Sequence, residues 1–359
     1  MQFGVDIAAK IDDWQLIADV EALGFDMAWI ADSQMLWSDC YATLALAAQH
    51  TSRIKLGTGV AVAPTRLAPV TAHSIASINR LAPGRVFLGL GTGHTSMRVM
   101  GMPPMSIGKF RKYVRVVRGL LDGDEVEFTH NDKSRSIRFL HRDLNFINID
   151  DRIPIYLAAN GPRALQTAGE FGDGWISGTK PSADAFQRDY AEVEAGATKI
   201  GRTLPAHFLT AGNTTAVVLR PGEKVDSARV IDNCGSQVAC VLHFVYEIVK
   251  QTGNEAIVPV AFNGIWEEYC AHVAKMATPV EKRYLEIHDG HCTYLRPEER
   301  RFMTPEAIHE TCLVGEPEQI IEQIRSAEAA GLKQVVLLPP LASARDVFRD
   351  FAEQVIARY

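Results

Sequence analysis

Residues 86–97, VFLGLGTGHTSM, join an apolar run to glycines and hydroxyls. Gly89, Gly91 and Gly93 remove side chains at three places in five, and Thr92, Thr95 and Ser96 add hydroxyls beside the backbone N–H groups. Bare peptide with hydroxyls at a strand end can grip an anionic group. A dinucleotide turn would need glycine at the last place of G-x-G-x-x-G, where His94 stands, and no acidic ribose partner follows about 20 residues on. A second stretch, AANGPR (158–163), sets Asn160 and Gly161 before Pro162, a residue suited to the first turn of a helix. Taken alone, either motif is more often ordinary turn chemistry.

Other constellations carry less. HDGHC (288–292), with His309 and Cys312 further on, lacks the paired spacing of a structural zinc site, and no metal is expected. There is no G-x-S-x-G elbow, and no cysteine has a base placed beside it by sequence. Asp12, Asp13, Asp122 and Asp124 read as cap or turn acids.

The elements that must position these residues alternate along the chain. Strand-like runs occupy 3–7, 27–32, 54–62, 86–93, 153–159, 174–178, 207–219 and 333–340, with helical patterns between them. The runs are apolar without alternation, which implies burial on both faces and hence a parallel sheet clothed in helices. Eight such units predict an α/β fold, a closed (β/α)8 TIM barrel over 1–359 as one domain, with an irregular insertion at about 221–315 between strands 7 and 8. Active sites in this architecture lie at the carboxyl ends of the strands. That rule gathers Asp6, Asp32, Ser33, Gly59, Val60, residues 91–94, Ala159, Asn160 and Ser177 around one mouth. These strand ends include no lysine, which argues against a Schiff-base aldolase.

Five stretches in this order, LGFDMAWIADS (23–33), IKLGTGVAVAP (54–64), GRVFLGLGTG (84–93), IPIYLAANGPRALQTAGEFGDGW (153–175) and VLRPGE (218–223), resemble the bacterial luciferase-like oxidoreductases. The likeness is closest to members that use the deazaflavin coenzyme F420, such as methylenetetrahydromethanopterin reductase. It implies a barrel with the cofactor across the strand ends and Asp32 beside its ring system. Gly59, Val60 and Ala61 would form a bulge, often with a cis non-prolyl peptide, that backs the ring. Gly91, Thr92, Gly93 and Thr95 would contact the side chain and phosphate region of the cofactor, with Ala159, Asn160, Gly161 and Ser177 across from them. Trp37 matches a tryptophan that relatives place by the ring, and also reads as packing at the barrel top. Sugar-phosphate-oxidising relatives carry Asp-His where this chain has Asp32-Ser33, and a glutamate where it has His94, so that activity is not expected. His94, beside the cofactor loop and of a type that titrates near neutrality, is the expected proton carrier, with Asp32 and Trp37 completing the catalytic set. The alternative is an FMN-dependent monooxygenase using reduced flavin and O2, whose members commonly carry a serine-bearing phosphate loop where this chain reads ANGP. An inactive cofactor-binding barrel is the third reading.

Bulk properties fit these readings. With a net charge of −6 and pI near 6.0, nucleic-acid binding is not expected. The most basic run, KFRKYVRVVRGLL (109–121), has the spacing of an amphipathic helix. Six scattered cysteines without a C-x-x-C pair, an acidic N-terminal stretch and no apolar run of about 18 residues favour a cytoplasmic protein with reduced thiols and no membrane span. A small-molecule substrate is expected. Phe262, Trp266, Tyr269 and Tyr294 in the insertion suggest an apolar or aromatic one, and family resemblance implies a homodimer.

Overall fold

In the computed structural model, which describes residues 1–359 apart from 179 and 181, eight parallel strands close on themselves. They are β1 (Gln2–Ile7), β2 (Met27–Ile30), β3 (Lys55–Thr58), β4 (Val86–Gly91), β5 (Ile155–Ala158), β6 (Gly174–Ser177), β7 (Leu209–Thr214) and β8 (Gln334–Leu337). Each pairs with its successor, and β1 pairs with β8 through Phe3 opposite Val335 and Val5 opposite Leu337. The fold is a (β/α)8 barrel, as the patterning predicts.

The missing alternation has a direct cause: the strands are covered on both faces, and most of their side chains are apolar. Met27, Trp29, Phe87, Tyr156, Ile176, Leu209 and Val336 point inward and fill the barrel. Ala28, Ile30, Leu88, Leu90, Leu157 and Val335 point outward into the layer shared with the helices. Inside, the indole Nε1 of Trp29 donates to Gln334 Oε1 at 3.1 Å, which satisfies a polar group in a dry interior. The basic run forms the helix Ile107–Leu121, burying Phe110, Tyr113, Val114, Val117 and Leu121.

Two long predicted strands are each divided. The run 54–62 leaves the barrel after Thr58 and rejoins the sheet at Ala61–Val62, which pairs with Leu90 and Gly91. The run 207–219 ends its barrel strand at Thr214, and Ala216–Val218 then pairs in parallel with Leu313–Gly315. That pair brackets the insertion, which is helical rather than irregular. Its main element is the 25-residue helix Ala228–Thr252, capped by the Ser227 side chain accepting from Val230 N. Phe262, Trp266 and Tyr269 are buried in the insertion's own core with Val238, Leu242 and Phe302. Tyr294 is half exposed and donates to Asp289. These four aromatics therefore stabilise the insertion and do not line the cavity below it. Among the described residues, no helix is long and apolar enough to cross a membrane.

Candidate active site

The glycines of the 86–97 stretch answer first to packing. After Thr58, whose hydroxyl donates to Gly89 O at 2.7 Å, the Gly59–Val60 peptide is cis. A Cβ on Gly89 would lie 2.2 Å from Thr58 O, and one on Gly91 would lie 2.8 Å from Val60 Cγ2. These two positions make room for the bulge on the neighbouring strand. Gly93 has φ +80° and turns the chain into the short helix His94–Val99, a conformation that side chains disfavour.

Over the bulge lies a cavity of about 420 Å³ at the carboxyl ends of the strands, roofed by the insertion. Asp32, Trp37, Gly59, Val60, Gly91, Thr92, Gly93, His94, Thr95, Ala159, Asn160, Gly161 and Ser177 all line it. Ala61 does not; it is buried behind the bulge, opposite Leu90. The loops after β4 and β5 thus meet at one mouth.

The far rim ends in an open helix start. Gly161 precedes the helix Pro162–Phe171 and, among the described residues, no side chain caps it, so first-turn N–H groups are available. A Cβ on Gly161 would meet nothing within 4 Å. Asn160 Oδ1 accepts from Gly178 N at 3.1 Å and from Ser177 Oγ at 3.4 Å, which ties the β5 and β6 loops together.

Asp32 has a structural occupation. Its Oδ2 accepts from Val62 N at 3.0 Å and pairs with Arg66 at 2.6 Å, while Oδ1 accepts from Gln34 at 2.6 Å. Both oxygens hold the bulge and its flanking loop. Ser33 and Ser96, whose hydroxyls are 2.9 Å apart, join the β2 end to the helix after β4. Trp37 Nε1 donates to Thr293 Oγ1 at 2.9 Å, and its ring stacks on His291 with centroids 6.1 Å apart, so it links barrel and insertion.

Two titratable groups are displaced in opposite senses. Burial pushes the His94 imidazole down to about 4, with Arg98 adding to the effect and Glu247 opposing it. His94 is therefore neutral at pH 7 and does not titrate near neutrality. Its Nδ1 lies 3.7 Å from Glu247 Oε2, and Nε2 has no hydrogen-bond partner among the described residues. Asp6, at the end of β1, is pushed up to about 8 by burial, against the Asn213 hydrogen bond of 2.7 Å. Asp6 keeps its proton at pH 7, and its Oδ1 has no partner among the described residues. Sequence reading placed Asp6 at the mouth but gave it no role, because burial beneath the bulge is invisible before the barrel is closed.

The roof also escaped the sequence. Gln237, Cys240, Val241, Phe244 and Glu247 recur at helical spacing on Ala228–Thr252 and face the cavity. Glu247 accepts from His288 Nε2 at 2.9 Å and lies 3.1 Å from Arg98 Nε. Burial works against its ionisation, but His288, His94 and Arg98 together hold its carboxyl below the usual range. HDGHC is divided by the fold: His288 serves Glu247, whereas His291 and Cys292 approach Cys240. Cys312 lies elsewhere, against Thr311 and the backbone of Cys234.

Residues 13–334 match the sequence profile of the luciferase-like monooxygenases. The chain belongs to that family. It is 27% identical over 351 residues to the 5,10-methylenetetrahydromethanopterin reductase of Archaeoglobus fulgidus, covering 95% of this chain and 94% of that one. With the enzyme of the same name from Methanolobus tindarius it shares 35% over 211 residues, 56% of this chain and 61% of the relative, so that match spans under two thirds of the relative's length. An F420-dependent hydroxymycolic acid dehydrogenase of Mycobacterium tuberculosis is 33% identical over 198 residues, 51% of this chain and 52% of the relative. In fold, the chain superposes on the coenzyme F420-dependent tetrahydromethanopterin reductase of Methanopyrus kandleri with a TM-score of 0.73 at 22% identity, covering 100% and 99% of the two chains.

Proposed function

We propose that this luciferase-like protein is a coenzyme F420-dependent oxidoreductase that moves a hydride to or from a small organic substrate in the cavity over the bulge. One observation carries the reading: the two glycine-bearing loops, far apart in sequence, open onto a single cavity at the strand ends. Relatives named as F420-dependent dehydrogenases support the choice of cofactor.

The residues present fit such a group. The uncapped turn at Gly161 and the 91–95 loop supply N–H and hydroxyl groups for a phosphate-bearing tail, and Ala159, Asn160 and Ser177 hold the rim in shape. Gly59 and Val60 would back the ring, with Ala61 and Asp32 fixing the bulge from behind. When bound, F420 supplies or accepts a hydride. The protein contributes position, exclusion of water by the insertion, and a proton. Asp6 is the group for that proton, since it is the acid that stays protonated at pH 7. His94 acts as a neutral hydrogen-bonding wall, and Trp37 holds the roof down. The reading carries a homodimer, which sedimentation would test.

The test is turnover. Purified protein mixed with reduced F420 and a panel of imines, enones and ketones should restore the deazaflavin absorbance, or with oxidised F420 and the corresponding amines and alcohols should bleach it, with at least one substrate. Consumption of O2 with reduced FMN, and no reaction with F420 in either direction, would assign the monooxygenase alternative instead.

A further inference from the structure

Cys240, His291 and Cys292 bring one ligand atom each to within 4.8 Å of one another, and all three line the cavity. Cys240 comes from the roof helix, while His291 and Cys292 lie 51 and 52 residues later in the loop after the helix Arg283–Ile287. That loop is pinned. Thr293 N donates to Gly290 O at 2.9 Å, Thr293 Oγ1 to His291 O at 2.9 Å, and Trp37 Nε1 to Thr293 Oγ1 at 2.9 Å. Leu341 N, beyond β8, donates to Thr293 O at 3.1 Å.

His291 Nε2 and Cys292 Sγ are 3.6 Å apart. A tetrahedral zinc ion with bonds of about 2.3 Å to sulfur and about 2.0 Å to nitrogen separates those two ligands by about 3.5 Å. Two thiols and one imidazole form the donor set of three-ligand zinc sites that keep a fourth position open. The Cys292 thiol, with His291 beside it, holds the Cys240 thiol well below its ordinary range despite burial. Burial opposes the proton on His291, but the Cys240 charge wins and pushes its imidazole up.

We propose that Cys240, His291 and Cys292 bind a zinc(II) ion whose fourth coordination position opens into the cavity. Entry of the cation displaces the Cys292 thiol proton and the proton shared by Cys240 and His291. Binding therefore releases two protons and leaves two thiolates and a neutral imidazole on the metal. The site stands independently of which organic cofactor the cavity takes.

The test uses the full-length protein, reduced and stripped with chelator, titrated with zinc or cobalt(II) salts. One equivalent per chain is expected by elemental analysis, and the cobalt form should show thiolate-to-metal charge-transfer bands of a tetrahedral site. Cys240→Ser and Cys292→Ser should lose stoichiometric binding, whereas Cys270→Ser, on the helix Trp266–Ala274 and outside the cavity lining, should keep it. Absence of binding by the reduced wild-type protein would overturn the proposal, and so would cobalt spectra without thiolate bands. Undiminished binding in both serine variants would do the same. Because the wild-type spectrum alone reports the ligands, a variant that fails to fold does not leave the question open.

Discussion

Asp6 and His94 face the same cavity, yet burial acts on them with opposite consequences, since each is driven to its neutral form. In the unfolded chain an aspartate ionises near its ordinary value of 3.8, whereas folded Asp6 holds its proton up to about 8. Between those values the folded chain binds more protons. The Asp6 contribution is fully present below the lower value and is lost as pH rises through the upper one, with a slope of at most about 1.4 kcal/mol per pH unit. Chemical denaturation of Asp6→Asn from pH 5 to 8 should show a shallower decline than the wild type; parallel curves would mean that native Asp6 is already ionised. In turnover, Asp6→Asn should lower kcat by roughly 10²–10⁴ and remove the loss of rate above pH 8. His94→Gln should weaken turnover without shifting any limb between pH 6 and 8, because the imidazole stays neutral throughout that range. A limb near pH 6.5 that vanished in His94→Gln would show that burial does not suppress its charge.

At the scale of elements, two glycines separate folding from binding. Gly89→Ala drives a methyl against the Thr58 carbonyl oxygen, and no side-chain adjustment relieves it. A loss of several kcal/mol is expected, seen as a lower denaturation midpoint. Gly161→Ala meets open space with φ −119°, so stability should change by about 1 kcal/mol or less, while affinity for the phosphate-bearing cofactor falls. Equal effects of both changes on stability, with cofactor affinity untouched by Gly161→Ala, would dissociate that loop from binding. The barrel strands were legible because their apolar runs carry the mark of two covered faces, as in Val86–Gly91, buried at every position. The roof helix was not. Its cavity face alternates Gln237, Cys240, Phe244 and Glu247, a mixture that leaves no hydrophobic stripe, and its other face is spent on the insertion core. The aromatics at 262, 266 and 269 misled for the same reason: large rings signal burial but not which core receives them.

Over the whole molecule, barrel and insertion meet through polar contacts: Trp37 with Thr293, and Glu247 with His94 and Arg98, while His288 braces Glu247 from within the insertion. Glu247→Gln removes the charge that balances Arg98 in a buried setting, where breaking a pair costs about 3–5 kcal/mol. Its unfolding midpoint should fall, and protease cleavage should begin in the insertion; unchanged digestion would mean that the roof is held by other contacts. Convergence of the 91–95 and 159–161 loops was foreseeable from the barrel rule, whereas the meeting of Cys240 with His291 and Cys292 joins segments with no local spacing to betray it. Equilibrium titration of the purified apoprotein with oxidised F420, followed by competition with FMN, tests the central claim most directly. Saturable one-to-one binding in the micromolar range is expected, displaced poorly by FMN and weakened in Gly161→Ala. Failure of both cofactors to bind at micromolar concentrations would contradict it.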